Sequence, residues 1–143
     1  MTQPENESEN EVVLITNPAA NRGQAAKVGR EVLAILDARG VRVRHEMPAS
    51  PSGTRLAAEQ VAKGGGRLIA CGGDGLIHLV AQEIAGSAAT LGVIPAGSGN
   101  DFASALGLSS DLNSAVQAAL SPAGQLDVLQ LESGSGRRAV GVT

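Results

Sequence analysis

Four short apolar runs, each separated from the next by a segment of helical periodicity, set the narrowest limit on what this chain can fold into. Val12-Val13-Leu14-Ile15 is closed by Asn17-Pro18, the signature of a buried strand ending in a turn. Val28, Val32, Ile35 and Leu36 then recur at i, i+4, i+7 and i+8 up to Gly40, which reads as an amphipathic helix stopped by a glycine. Val41 and Val43 alternate with Arg42 and Arg44, a strand nearer a sheet edge. The loop MPASPSG leads to a helix over 54–63, which Gly64-Gly65-Gly66 ends. Arg67 to Cys71 is the third strand, and Leu76, Val80 and Ile84 mark a helix over 76–86. Thr90 to Ile94 is the fourth strand. Short helices are expected near 101–106 and over 111–120, the latter with Leu112, Val116 and Leu120 on its apolar face. A fifth strand over 126–131, a turn at SGSGRR and a sixth strand from Ala139 to Val142 complete the series.

Strands alternating with helices predict an α/β fold, a mostly parallel sheet with helices on both faces. Ligands of such sheets bind at the carboxyl ends of the strands, where the loops gather. Three polar, glycine-rich loops fall there: NPAANRG after the first strand, GGDG after the third and PAGSGND after the fourth. Glycine lets a backbone approach a ligand closely, and a helix N-terminus just beyond offers free N–H groups to an anion. GGDG before a helix therefore suits phosphate. The plainer reading is a tight turn with Asp74 as helix cap. A carboxylate beside phosphates repels them unless it works through Mg²⁺ or takes a proton from an attacking hydroxyl.

Composition excludes several classes. Phe102 is the sole aromatic residue, so the core is aliphatic, and nucleic acid, which is held by stacking, is a poor partner. Glu5, Glu7, Glu9 and Glu11 fall in an opening stretch without apolar periodicity, read as a disordered acidic tail over 1–11. Nine of the eleven basic residues lie between Arg22 and Arg67, either as an anion-facing side or as solvated helix faces. Cys71 is alone, which rules out a disulfide framework and a cysteine metal cluster, and it reads as a small packing residue. No signal peptide or membrane-length apolar run is present, so a cytoplasmic location is expected. No basic amphipathic helix is apparent, so docking on a membrane by the chain itself is not expected; any membrane contact is expected to be peripheral, at the inner face, and to belong to a part beyond this chain. The P-loop pattern G-x-x-x-x-G-K-[ST] and the dinucleotide pattern G-x-G-x-x-G are both absent.

Asn17-Pro18, Gly72-Gly73-Asp74-Gly75 and the run LGVIPAGSGNDFASALGL together resemble the catalytic domain of the diacylglycerol kinase family, which includes bacterial lipid kinases and sphingosine and ceramide kinases. The resemblance covers residues 12 to 131 and implies a three-layer α/β sandwich like the N-terminal domain of NAD kinases and phosphofructokinases. It implies that ATP is surrounded by Asn17, Pro18, Ala19, Ala20 and Asn21; by Gly72, Gly73, Asp74, Gly75, Leu76, Ile77 and His78; and by Gly97, Ser98, Gly99 and Asn100. Ser50 is the match for a further nucleotide-contacting hydroxyl after the second strand. Asp74 is implied in the magnesium and phosphate network, through water, and Asp127 joins it as a catalytic aspartate; the alternative for Asp127 is a cap before a strand. Asn100 and Asp101 act directly or cap the helix at Phe102. His78 reads as partly exposed and structural. Leu76, Leu79, Gln82-Glu83 and the loop NPAAN depart from the residues usual in the family. The resemblance also implies a second, β-rich domain carrying the general base and much of the lipid site, so residues 132–143 are expected to lead toward a part of the protein beyond this chain. The activity implied is transfer of the γ-phosphoryl of Mg·ATP to a lipid hydroxyl, with a kinase of a soluble hydroxyl compound or a non-catalytic nucleotide-binding module as alternatives.

Overall fold

β1 (Val12–Thr16) is buried at all five positions, which marks a central strand with both faces covered. It lies between β2 (Val43–Glu46) and β3 (Arg67–Gly72), and β3 pairs in turn with β4 (Thr90–Pro95); all three pairings are parallel, giving the order β2-β1-β3-β4. The computed structural model describes residues 11–96, 111–121, 128–132 and 138–142. Residues 1–10 of the expected acidic tail and the helix expected near 101–106 lie outside the described residues, whereas Glu11 is described and lies 3.8 Å from Arg44.

Alternation along the strands divides the core in two. Val12 and Leu14 of β1, with Ile69 and Cys71 of β3, pack under α1 (Gln24–Ala38) and α4 (Leu112–Leu120). Val13 and Ile15, with Leu68 and Ala70, pack under α2 (Pro51–Gly64) and α3 (Asp74–Ile84). Among the described residues both layers are aliphatic, with buried alanines letting the helices sit low on the sheet. At β4 the helix comes so close that a Cβ added to Gly92 would lie 2.7 Å from Ala119 Cβ and 3.0 Å from its backbone. Arg67 ties down the end of α4 by donating to the carbonyls of Ala119 (2.7 Å) and Ser121 (3.2 Å). A cation at a helix C-terminus satisfies carbonyls that have no partner within the helix.

Two boundaries move toward the amino end of the expected helices. α2 starts at Pro51 rather than 54, because Ser50 caps it by accepting from the Gly53 N–H and proline suits the first helical position. α3 starts at Asp74 rather than 76. The last strands differ more. β5 (Val128–Glu132) pairs antiparallel with β6 (Arg138–Val142), from Val128↔Val142 to Glu132↔Arg138, and does not extend the parallel sheet. Only five residues separate the two strands in sequence, whereas a parallel neighbour needs a crossover of a dozen residues or so.

Candidate functional site

The β3–α3 connection is a single residue. Gly72 ends the strand, Gly73 is the helix N-cap in extended conformation, and Asp74 is already helical. Asp74 is therefore not the cap: its carboxylate sits in the first turn, half-buried, where an acid is favoured by the helix dipole. Gly73 has no side chain to accept from the first-turn amides, so that end of α3 carries no side-chain cap. Packing explains why Gly72 is glycine. A Cβ there would lie 2.8 Å from Leu76 Cδ2 and 3.3 Å from Leu76 Cβ, because the first turn of α3 folds back over the strand end. Gly75 is different. It is exposed, and no described atom lies within 4 Å of where its Cβ would stand. Nothing described fills the space over it.

This geometry sorts the residues of the third loop. The Leu76 and Ile77 side chains point into the core, so only their main chain can face a ligand. The Ile77 N–H donates to the Gly73 carbonyl, 3.2 Å away, and the amides ahead of it belong to the first turn of the helix. His78 is exposed and Leu79 half-buried.

The loop after β1 is longer and built by other means. Asn17 folds it back on itself: its Oδ1 accepts from the Ala19 N–H at 3.1 Å and its carbonyl accepts from the Ala20 N–H at 3.2 Å. A short 3₁₀ turn, Ala20–Gly23, follows, in which Asn21 (φ 51°), Arg22 (φ 56°) and Gly23 (φ 86°) are all left-handed. Asparagine tolerates that region; arginine does so at a cost. Below the loop lies a polar contact that the sequence does not reveal. Thr16, fully buried at the end of β1, is hydrogen-bonded to His45 Nε2 at 3.0 Å. It also bonds the Cys71 thiol, its register partner on β3. Burial pushes that thiol up to about 12, so Cys71 is an inert packing residue. Burial also lowers His45 below its ordinary value, against the opposing pull of Glu46, which keeps the imidazole neutral. A threonine closing an apolar run was the available signal, but a pattern of apolar spacing carries no weight for it.

The parallel register brings the ends of β1 and β3 side by side, through Thr16↔Cys71, and Gly72 beside Pro95 of β4. The loop bearing Asn17, Pro18, Ala19, Ala20 and Asn21 and the turn bearing Gly72 to His78 thus share the carboxyl edge of the sheet. Ser50 belongs to the β2–α2 connection at that edge too, with its oxygen engaged in capping α2. Gly97, Ser98, Gly99, Asn100 and Asp127 lie outside the described residues. No group of three or more His, Cys, Asp or Glu side chains that could hold a metal occurs among the described residues.

Three comparisons bear on what this edge does. The sequence profile of the diacylglycerol kinase catalytic domain matches residues 11–131. A "Diacylglycerol kinase" of Mycobacterium tuberculosis (strain CDC 1551 / Oshkosh) is 40% identical over 98 residues, which cover 68% of this chain and 32% of that protein. A "Probable lipid kinase YegS-like" of Chromohalobacter salexigens is 40% identical over 81 residues, or 53% of this chain and 26% of the relative. The chain therefore aligns with about a third or less of these relatives' length. A crystal structure of a diacylglycerol kinase from Bacillus anthracis str. Sterne shares the fold at TM-score 0.65 and 24% identity, covering 76% of this chain and 38% of that one. The glycine turn, the asparagine-proline loop and the parallel sheet fall within the matched span, and the chain belongs to the diacylglycerol kinase catalytic domain family.

Proposed function

We propose that this chain is the ATP-binding domain of a lipid kinase that moves the γ-phosphoryl of Mg·ATP to a lipid hydroxyl, diacylglycerol being the first candidate. The observation that carries the reading is the α3 N-terminus, which has a side-chain-free cap at Gly73, no described atom within 4 Å of where a Cβ on Gly75 would stand, and one carboxylate, Asp74, in its first turn. Phosphoryl transfer depends mainly on holding the phosphates and neutralising charge. The first-turn amides of α3 hold phosphate oxygens, with the Asn17–Asn21 loop closing the neighbouring side. Asp74, half-buried at this edge, suits the Mg²⁺ that accompanies the nucleotide, through a water ligand; Asp127 is the candidate to join it. The attacking hydroxyl is too weak an acid to ionise alone, so a carboxylate takes its proton as it attacks. By the family resemblance that base, with much of the lipid site, belongs to a second domain beyond this chain. A nucleotide-binding module without turnover is the second reading, favoured by the non-glycine Asn21 and Arg22 in the left-handed turn.

Calorimetric titration with ATP, with and without Mg²⁺, beside Asp74→Asn tests the site. Magnesium-dependent binding weakened about tenfold or more in the variant is expected. Equal affinity in both proteins would remove Asp74 from the site. In a protein that joins this chain to the implied second domain, transfer of labelled phosphate into an organic-solvent phase separates a lipid acceptor from a soluble one, and no transfer at all leaves the binding module.

A further inference from the structure

The large apolar side chains that stand out in solvent among the described residues are Met47 (47% exposed) and Leu56 (56%). Single exposed apolar residues are ordinary, but these two line one open groove of about 390 Å³, with Pro48, Gly53, Ala57 and Gln60. The groove lies between the end of β2 and the first turns of α2, at the same carboxyl edge as the Gly73–Gly75 turn. Its loop is firmly seated. A Cβ on Gly53 would lie 3.1 Å from Pro48 Cβ, and Ser50 caps the helix just beyond, so Met47 is presented from a braced turn. Glu46, the acid on the groove wall, is paired with Arg44 at 3.3 Å, which also reaches Glu11 at 3.8 Å, and Glu59 is paired with Lys63 at 3.2 Å. Arg55, next to Leu56 and exposed, has no acidic partner among the described residues.

We propose that this groove is a docking element for an anionic lipid surface, in which Met47 and Leu56 enter the headgroup–acyl boundary and Arg55 lies among the headgroups. The inference rests on the lipid kinase reading for its geometry: a phosphoryl group handed over at the carboxyl edge reaches a bilayer-borne hydroxyl only if that edge faces the bilayer. Two apolar side chains, and a cation with no acidic partner among the described residues, then lie on the side that must approach the lipid. Shallow apolar insertion combined with attraction to anionic headgroups is how proteins lie on membranes without crossing them. The device is a braced loop and a helix start rather than a long basic amphipathic helix, which is why periodicity along the sequence gives no sign of it.

The chain contains no tryptophan, so Met47→Trp places a single reporter at the tip of the groove. Its emission is expected to shift to the blue on adding vesicles of phosphatidylglycerol and phosphatidylcholine, and to stay unchanged with phosphatidylcholine alone. Co-sedimentation with the mixed vesicles should weaken about tenfold in M47S/L56S and a few-fold in Arg55→Gln at low salt. Both apolar side chains are exposed, and an unchanged far-UV circular dichroism spectrum checks that the variants fold. Emission from Met47→Trp that does not shift with the mixed vesicles, or equal sedimentation of M47S/L56S, overturns the proposal. So does self-association that M47S/L56S abolishes in the absence of any vesicle effect, since the occupant would then be a second copy. ATP titration of M47S/L56S keeps the two readings apart: intact nucleotide binding without vesicle binding removes only the docking element. Groove-dependent vesicle binding by a chain that ignores ATP removes the kinase reading and leaves the docking surface.

Discussion

The two connections that meet at the carboxyl edge do comparable work by opposite means. Between β3 and α3 the chain turns in one residue, and the turn exists because side chains are excluded: Leu76 occupies the space a Cβ on Gly72 would need. Between β1 and α1 seven residues intervene, and the turn is held by added groups. Asn17 accepts an N–H from its own loop, Thr16 and His45 brace the floor, and two non-glycine residues are held left-handed. The first device has no room for a side chain at Gly72 unless Leu76 moves. The second carries cost that the surrounding contacts offset, and it can be improved or weakened residue by residue.

The largest expected effect breaks the first device. Gly72→Ala crowds the buried Leu76 side chain, which must shift within the first turn of α3, and overpacking of this kind costs about 1–3 kcal/mol. Urea denaturation reads the loss, and an unchanged midpoint would show that the two elements are not in tight contact. Next comes a gain on the other side. Arg22→Gly removes a left-handed arginine and should stabilise the chain by about 1 kcal/mol, with Asn21→Gly giving less because asparagine already tolerates that region. Loss of stability in Arg22→Gly would mean that the arginine side chain holds the turn. Thr16→Val deletes the bonds to His45 and Cys71 while keeping the shape, at a cost of about 1 kcal/mol. If the first loop depends on that floor, hydrogen exchange at Ala19 and Ala20 quickens in the variant while the amide of Ile77 is unaffected.

The smallest effect is one of pH. His45 is lowered from its ordinary 6.5, chiefly by burial. The unfolded chain therefore binds the proton more readily than the folded one, and acid favours unfolding. The contribution of His45 is complete above pH 6.5 and declines as the pH falls below that value toward the lowered one. The slope is shallow because the ring is only partly buried. Denaturation midpoints between about pH 7.5 and 5 should fall less in His45→Gln than in the parent, and parallel curves would detach the histidine from the first loop.

Much of this was legible in advance. Uninterrupted apolar runs at 12–15 and 68–71 mark central strands, since only a strand covered on both faces has no need of polar alternation, and the alternating Val41 to Arg44 marks the edge. The stripe Leu76, Val80, Ile84 faces the core as its spacing requires. Spacing could not tell that α3 begins at Asp74, because Asp74 and Gly75 carry no apolar signal and the decisive contact is Leu76 over Gly72. Nor could it tell that Ser50 caps α2, a role visible only once Pro51 is seen to start the helix.

What the sequence determined by itself is the order and kind of the elements, the faces they bury and the edge on which glycine and acid collect. These follow from the polarity of neighbouring residues and from the conformations each can take. What only the tertiary structure decided are relations between residues far apart in the chain. Thr16 meets His45 and Cys71, Arg67 holds the end of α4, Met47 and Leu56 share one groove, and β5 turns to β6 instead of the parallel sheet. Each depends on which atoms arrive within a few ångströms once the helices settle on the sheet, a distance that no local pattern encodes.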